Sequence, residues 1–91
     1  MIIDYDPAKR EKTLAERGVD MARAGEVFGG PHRTVEDDRR DYGEVRFQTA
    51  GFLDGRLVYV VWTARGDVRR IISMRKANGR EQKAFREILG L

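Results

Sequence analysis

Four cations crowd into the eight residues Arg69-Arg70-Ile71-Ile72-Ser73-Met74-Arg75-Lys76, interleaved with apolar side chains that read as a buried β-strand. Buried strands avoid charge, so this one needs either solvated ends or a bound polyanion such as nucleic acid. Arg46 is a further cation in a strand-like run, Glu44-Val45-Arg46-Phe47. Two guanidinium groups from different strands could grip one phosphate from two sides, because each planar fork matches a pair of phosphate oxygens. The alternative on residue type is that both arginines pair with acids such as Glu44 or Asp41.

Other chemistry is sparse. There is no cysteine, and His32 is the single histidine, so disulfides, thiol catalysis and a zinc site are excluded. His32 follows Gly30-Pro31 in a loop, where an imidazole is a polar surface group or a proton carrier near neutral pH. Gly29-Gly30 lacks the surroundings of a phosphate loop and reads as a helix stop. Ser73 is small and fits packing or capping better than attack. Trp62 could stack on a base, but a tryptophan opposite a phenylalanine in a central strand is expected in the core. Tyr59 is the better stacking candidate.

The elements that must position these residues follow from caps and periodicity. Ile2-Ile3-Asp4-Tyr5 suits a short edge strand, and Asp6-Pro7 is an N-cap followed by proline at the first helical position. A helix is predicted over 7–17, with Ala8, Leu14 and Ala15 inward and Gly18 as its left-handed stop. Asp20 caps a second helix through Met21, Ala24, Gly25 and Phe28, so the two should form a helical hairpin. The pattern then changes to period two. A weak strand signal at 33–37 precedes stronger ones at 44–53, 56–65 and 68–76. Asp54-Gly55 is a two-residue hairpin turn, and Arg65-Gly66-Asp67 supplies another. Asn78, with Glu81 three residues on, caps a last helix bearing Phe85, Ile88 and Leu89. The expected fold is α+β: an N-terminal helical hairpin on an antiparallel meander of about four strands, then a C-terminal helix.

Strand alternation decides which cations meet. With Asp54-Gly55 as the loop, Phe47 faces Trp62 and Arg46 faces Thr63. Unbroken alternation then puts Arg46, Gln48, Ala50, Tyr59, Val61, Thr63, Arg70, Ile72, Met74 and Lys76 on one face. Val45, Phe47, Val58, Val60, Trp62, Arg69, Ile71, Ser73 and Arg75 take the other, which is the more apolar and is expected to receive the helical hairpin. Arg46 and Arg70 lie two strands apart across Thr63.

Ninety-one residues make one small domain. The net charge is +3, unevenly spread: residues 65–86 hold eight cations against Asp67 and Glu81, while Glu36, Asp37, Asp38, Asp41 and Glu44 form an acidic patch. Neither a basic leader nor a long apolar run opens the chain, so no membrane association is expected and the expected location is the cytoplasm.

Three runs now combine: Asp37-Asp38-Arg39-Arg40-Asp41-Tyr42-Gly43-Glu44-Val45-Arg46-Phe47, Thr63-Ala64-Arg65-Gly66 and Arg70-Ile71-Ile72-Ser73-Met74-Arg75-Lys76-Ala77. Together they resemble the BrnT family of type II toxins. Asp6-Pro7-Ala8-Lys9, Gly18-Val19 and Glu26-Val27-Phe28 extend the resemblance over nearly the whole chain. Where the family often carries Lys-His before the Gly-Val, this chain has Glu16-Arg17. The resemblance implies a single toxin domain over 1–91 with a RelE-like fold. It also implies metal-independent, cofactor-free RNA cleavage that inhibits translation. The implied partners are an RNA substrate and a neutralising BrnA-type antitoxin with a ribbon-helix-helix domain, operator DNA being reached only through that complex. By the same analogy Arg46 and Arg70 hold the phosphate, Arg65 and Arg75 add binding or charge stabilisation, and Lys76 carries a proton with His32 in reserve. An arginine itself is a poor base, its pKa staying above ~12. The alternatives that the residues leave open are a non-catalytic nucleic-acid-binding module and a protein-interaction domain.

Overall fold

Asp6 begins the first helix as its side chain dictates. Its carboxylate accepts from the Ala8 and Lys9 amides, and Pro7 occupies the first turn, where no N–H is needed. In the computed structural model, which describes residues 1–39 and 41–90, strand β1 (Ile2–Tyr5) leads into helix α1 (Pro7–Arg17). A 3₁₀ turn (Met21–Arg23) capped by Asp20 then runs into the short helix α2 (Ala24–Gly29). Strands β2 (His32–Glu36), β3 (Phe47–Leu53), β4 (Arg56–Arg65) and β5 (Val68–Lys76) follow, and helix α3 (Gly79–Leu89) completes the order. Arg40, part of one family-like run, lies outside the described residues.

The α+β class stands, with two changes to the expected arrangement. The sheet has five strands in the order β1-β5-β4-β3-β2, and β1 pairs in parallel with β5, so the antiparallel meander gains a parallel edge. The helical hairpin is also lopsided. The 3₁₀ turn and α2 supply Met21, Ala24, Val27 and Phe28 to the core, against Val58, Val60, Trp62, Ile71 and Met74 of the sheet. Helix α1 buries no side chain, and Leu14, expected inward, is 43% exposed. It is held instead by the Arg10–Asp20 ion pair at 2.7 Å and by Arg17, whose Nη1 donates to the Met74 carbonyl at 3.1 Å.

The hairpin loops follow turn chemistry. Asp54 and Gly55 both take positive φ, as a two-residue loop of this twist requires, and set Leu53 opposite Arg56 and Phe47 opposite Trp62. Val27 presses on β3 where Gly51 leaves room: a Cβ there would fall 2.7 Å from Val27 Cγ1.

A β-bulge overturns the face assignment beyond Ile71. Trp62 pairs with Ile71 but Val61 pairs with Ser73, so Ile72 has no partner on β4. The extra residue lets Ile71 and Met74, three positions apart, both enter the core, which a regular strand forbids. Past it, Met74 and Lys76 turn to the helix-covered face with Val60 and Val58, while Ser73 and Arg75 join Val61 and Tyr59 on the opposite one.

Candidate functional site

The face opposite α2 is only half covered. Helix α3 lays Phe85 over Ala50, Leu57 and Ala77, beside Phe52 and Tyr59. Register then orders the rest of this face in rows across the strands. Arg33, Ala50, Tyr59 and Arg75 make the row at α3, and Val35, Gln48, Val61 and Ser73 the next. In the row beyond, Thr63 pairs with Arg70, and Arg70 with Asp4 of the parallel edge strand. Arg46 lies just before β3, outside the paired strand, and its chain is tied to this row by Thr63, whose hydroxyl donates to the Val45 carbonyl. The sequence expectation that Thr63 and Arg70 share a face therefore holds, since both precede the bulge.

This last row is built from paired arginines. Arg70 Nη1 donates to Asp4 Oδ2 at 2.7 Å, and the guanidinium holds the Asp4 carboxyl below its ordinary pKa by that hydrogen bond. Arg46 and Arg65 both approach Glu44, at 3.7 and 3.9 Å, longer than hydrogen bonds. The Arg46 guanidinium lies 4.0 Å over the Tyr42 ring. Thr63, buried between these cations, donates its hydroxyl to the Val45 carbonyl at 2.7 Å and fixes the chain that carries Arg46. Asp37 N–H donates to the Arg46 carbonyl at 2.8 Å, and the Arg39 fork grips the Asp37 carboxylate. Arg46 Nε is buried and has no acceptor among the described residues. A buried donor left unmatched costs about 1–3 kcal/mol. Beside Arg46 opens a concavity of about 510 Å³ walled by Tyr42, Glu44 and the acids Glu36, Asp37, Asp38 and Asp41.

The remaining sequence candidates fall elsewhere. Arg75 is on this face but engaged: its fork binds both Glu81 oxygens at 2.8 Å and stacks 4.7 Å over Tyr59, tying α3 to the sheet. Lys76 is exposed on the other face, its register partner Val58, with its ammonium beside Gly18 at the negative C-terminal end of α1. His32 also lies away from the arginine row, its Nδ1 2.8 Å from the Gly30 carbonyl and its ring edge-on to Phe28. Trp62 is core as expected, its Nε1 donating to the buried Thr49 hydroxyl at 2.8 Å.

Glu81 gives the fold a pH dependence. The Arg75 hydrogen bonds hold its carboxyl down to about 2, from an ordinary 4.5. A depressed carboxylate pKa adds stability above the unfolded value and loses it as pH falls through the folded one. The melting temperature of wild type should therefore exceed that of Glu81→Gln at neutral pH, and the gap should close between pH 4.5 and about 2. Glutamine can keep the Oε1 acceptor for the Asn78 amide but loses one acceptor for Arg75, so the thermal titration reads the whole Arg75–Glu81 pair.

Sequence reasoning paired Arg70 with no acid on β1, because a parallel contact across 66 residues leaves no local signal. Tyr42 under Arg46 was legible only as part of a run, and the Arg75–Glu81 tie only as separate strand and cap residues.

The chain matches one family model over residues 5–81, described as ribonuclease toxin, BrnT, of type II toxin-antitoxin system. No curated protein matches it.

Proposed function

The chain belongs to the BrnT family, the ribonuclease toxins of type II toxin–antitoxin systems, and from that premise we propose that its open arginine row is a metal-independent RNA-cleaving site. Membership gives it an RNA substrate and an antitoxin partner. The observation that carries the reading is Arg70 beside Thr63 on the open face, with Arg46 and Arg65 converging on Glu44 where the Thr63 hydroxyl holds the Val45 carbonyl.

In this reading Arg46 and Arg70 hold the scissile phosphate and Arg65 closes over it from the turn. The substrate 2′-hydroxyl loses its proton and attacks phosphorus, the bond to the 5′-oxygen breaks, and that oxygen takes up a proton. A 2′,3′-cyclic phosphate and a free 5′-hydroxyl result. The charge that builds on the phosphorane meets three guanidinium groups fixed in advance, the arrangement that lowers such barriers most. Glu44, between Arg46 and Arg65, is the carboxylate placed to accept the 2′-proton. It replaces Lys76 in that role, since Lys76 faces away, and Arg75 acts on the site by holding α3 and Tyr59 at its border.

The fold is read as RelE-like and the antitoxin as a BrnA-type ribbon-helix-helix protein that blocks the row and carries the toxin to operator DNA. Action in the cytoplasm, against translated RNA, agrees with the family. Among the described residues no helix is long and apolar enough to cross a membrane. The decisive experiment incubates purified protein with free RNA in excess EDTA and, separately, with ribosome-bound RNA in magnesium buffer. Fragments ending in cyclic phosphate are expected. RNA bound but left intact in both settings would replace the enzyme with a binding module, and cleavage abolished by EDTA would reject metal independence.

A further inference from the structure

Helix α1 breaks the usual pattern of a surface helix. Such a helix turns an apolar stripe to the body of the protein, but α1 buries nothing. The stripe it turns toward β5 is Lys9, Lys12, Thr13, Glu16 and Arg17, spaced as one helical face. With Ile72 and Ser73 as floor, it lines a groove of about 290 Å³. The groove exists because β1 covers β5 only from Val68 to Ile71, leaving α1 to flank the strand edge beyond.

Three of the five helix residues in that stripe are cations. Arg17 is partly engaged with the Met74 carbonyl. Lys9 and Lys12 are exposed and make no ion pair with a carboxylate among the described residues, which leaves both ammonium groups open to solvent or to an anion. Lys9 also sits in the first helical turn, where the macrodipole disfavours a cation and where α1 has no acid. Together the three cations line the groove with positive charge of the kind that a phosphate backbone attracts. The groove lies near the arginine row: its floor residue Ser73 is three residues along β5 from Arg70, within about 10 Å at the rise of a strand.

We propose that this groove holds the RNA strand beyond the scissile phosphate. Phosphates leaving Arg70 cross the free edge of β5 and meet Lys9 and Lys12, with the Ser73 and Thr13 hydroxyls positioned for sugar or base edges and Ile72 beneath. The inference rests on the proposed cleavage site and extends it into a track for single-stranded RNA.

The test is equilibrium binding of a single-stranded oligonucleotide methylated at every 2′-hydroxyl, which resists cleavage, to the whole protein across a salt series. Wild type, Arg70→Ala and the double variant Lys9→Glu/Lys12→Glu are compared. The double variant should bind roughly tenfold or more weakly at low salt, and its slope of log affinity against log salt should shrink by about 1.4, as two lost phosphate contacts require for a single strand. A trinucleotide probe should show a much smaller difference. Unchanged affinity and slope in the double variant, with Arg70→Ala weakened, would overturn the track and leave the cleavage site standing. Wild type that binds neither probe would overturn both. Circular dichroism checks the fold, and Lys9→Gln/Lys12→Gln carries the same test if the glutamate pair fails to fold.

Discussion

Arg70→Ala should lower RNA cleavage by about 10²–10³-fold, the usual effect of removing one preorganised donor from a site that stabilises an oxyanion, and should abolish growth arrest on expression. The side chain stands in the middle of the row, with Thr63 on one flank and Asp4 on the other. The Asp4 pair at 2.7 Å aims the guanidinium and leaves the other donors of its fork for phosphate. Arg70→Lys should recover only part of the activity, because an ammonium keeps the charge but not the planar fork. The fold should survive both changes, since the Arg70–Asp4 pair is a partly exposed surface bridge whose contribution to stability is small. The measurements are cleavage of labelled RNA by purified variants, melting curves for each, and transcript loss in cells. A folded Arg70→Ala protein that cuts RNA at the wild-type rate would remove the arginine row from the mechanism.

The same row shows where sequence was sufficient. The Asp54-Gly55 turn fixes the β3–β4 register by its own chemistry, whereas the next turn settled only that Thr63 and Arg70 share a face, since Arg65-Gly66 and Gly66-Asp67 were both open as its loop. Although the strand expected over 44–53 begins only at Phe47, the faces were legible by alternation from there to the bulge. Beyond it, one extra residue exchanged the faces of Ser73, Met74, Arg75 and Lys76. Nothing local announces that bulge: Ile71, Ile72 and Met74 are all apolar, and which two enter the core depends on what α2 and the 3₁₀ turn present to them. The caps of α1 and α3 were legible because they are contacts within four residues. The parallel contact of β1 was not, and with it went Asp4. The exposure of α1 was equally hidden, since its apolar residues Ala8, Leu14 and Ala15 satisfy a helical pattern without being buried.

Trp62→Ala should lower the stability of the protein by about 3–5 kcal/mol. The ring sits in the main core, with Phe47 at 4.8 Å and Phe28 edge-on at 5.6 Å, and the Arg69 guanidinium stacks 4.5 Å above it. Truncating a buried aromatic costs about 3–5 kcal/mol, and the Thr49 hydroxyl, fully buried, would lose its Nε1 donor as well. A domain of this size has only about 5–14 kcal/mol in total, so the loss is a large share of it. Trp62→Phe divides the effect: it keeps most of the ring packing and removes the indole hydrogen bond, and should cost about 1–3 kcal/mol. Urea titration of both variants measures the two steps. If Trp62→Ala stays folded with a midpoint near wild type but loses RNA binding, the tryptophan is a base-stacking platform and its place in the core is wrong. If its midpoint falls as expected, toxicity declines with stability, whereas Arg70→Ala loses activity with its melting curve intact. That contrast separates the residues that build the sheet from those that use its open face.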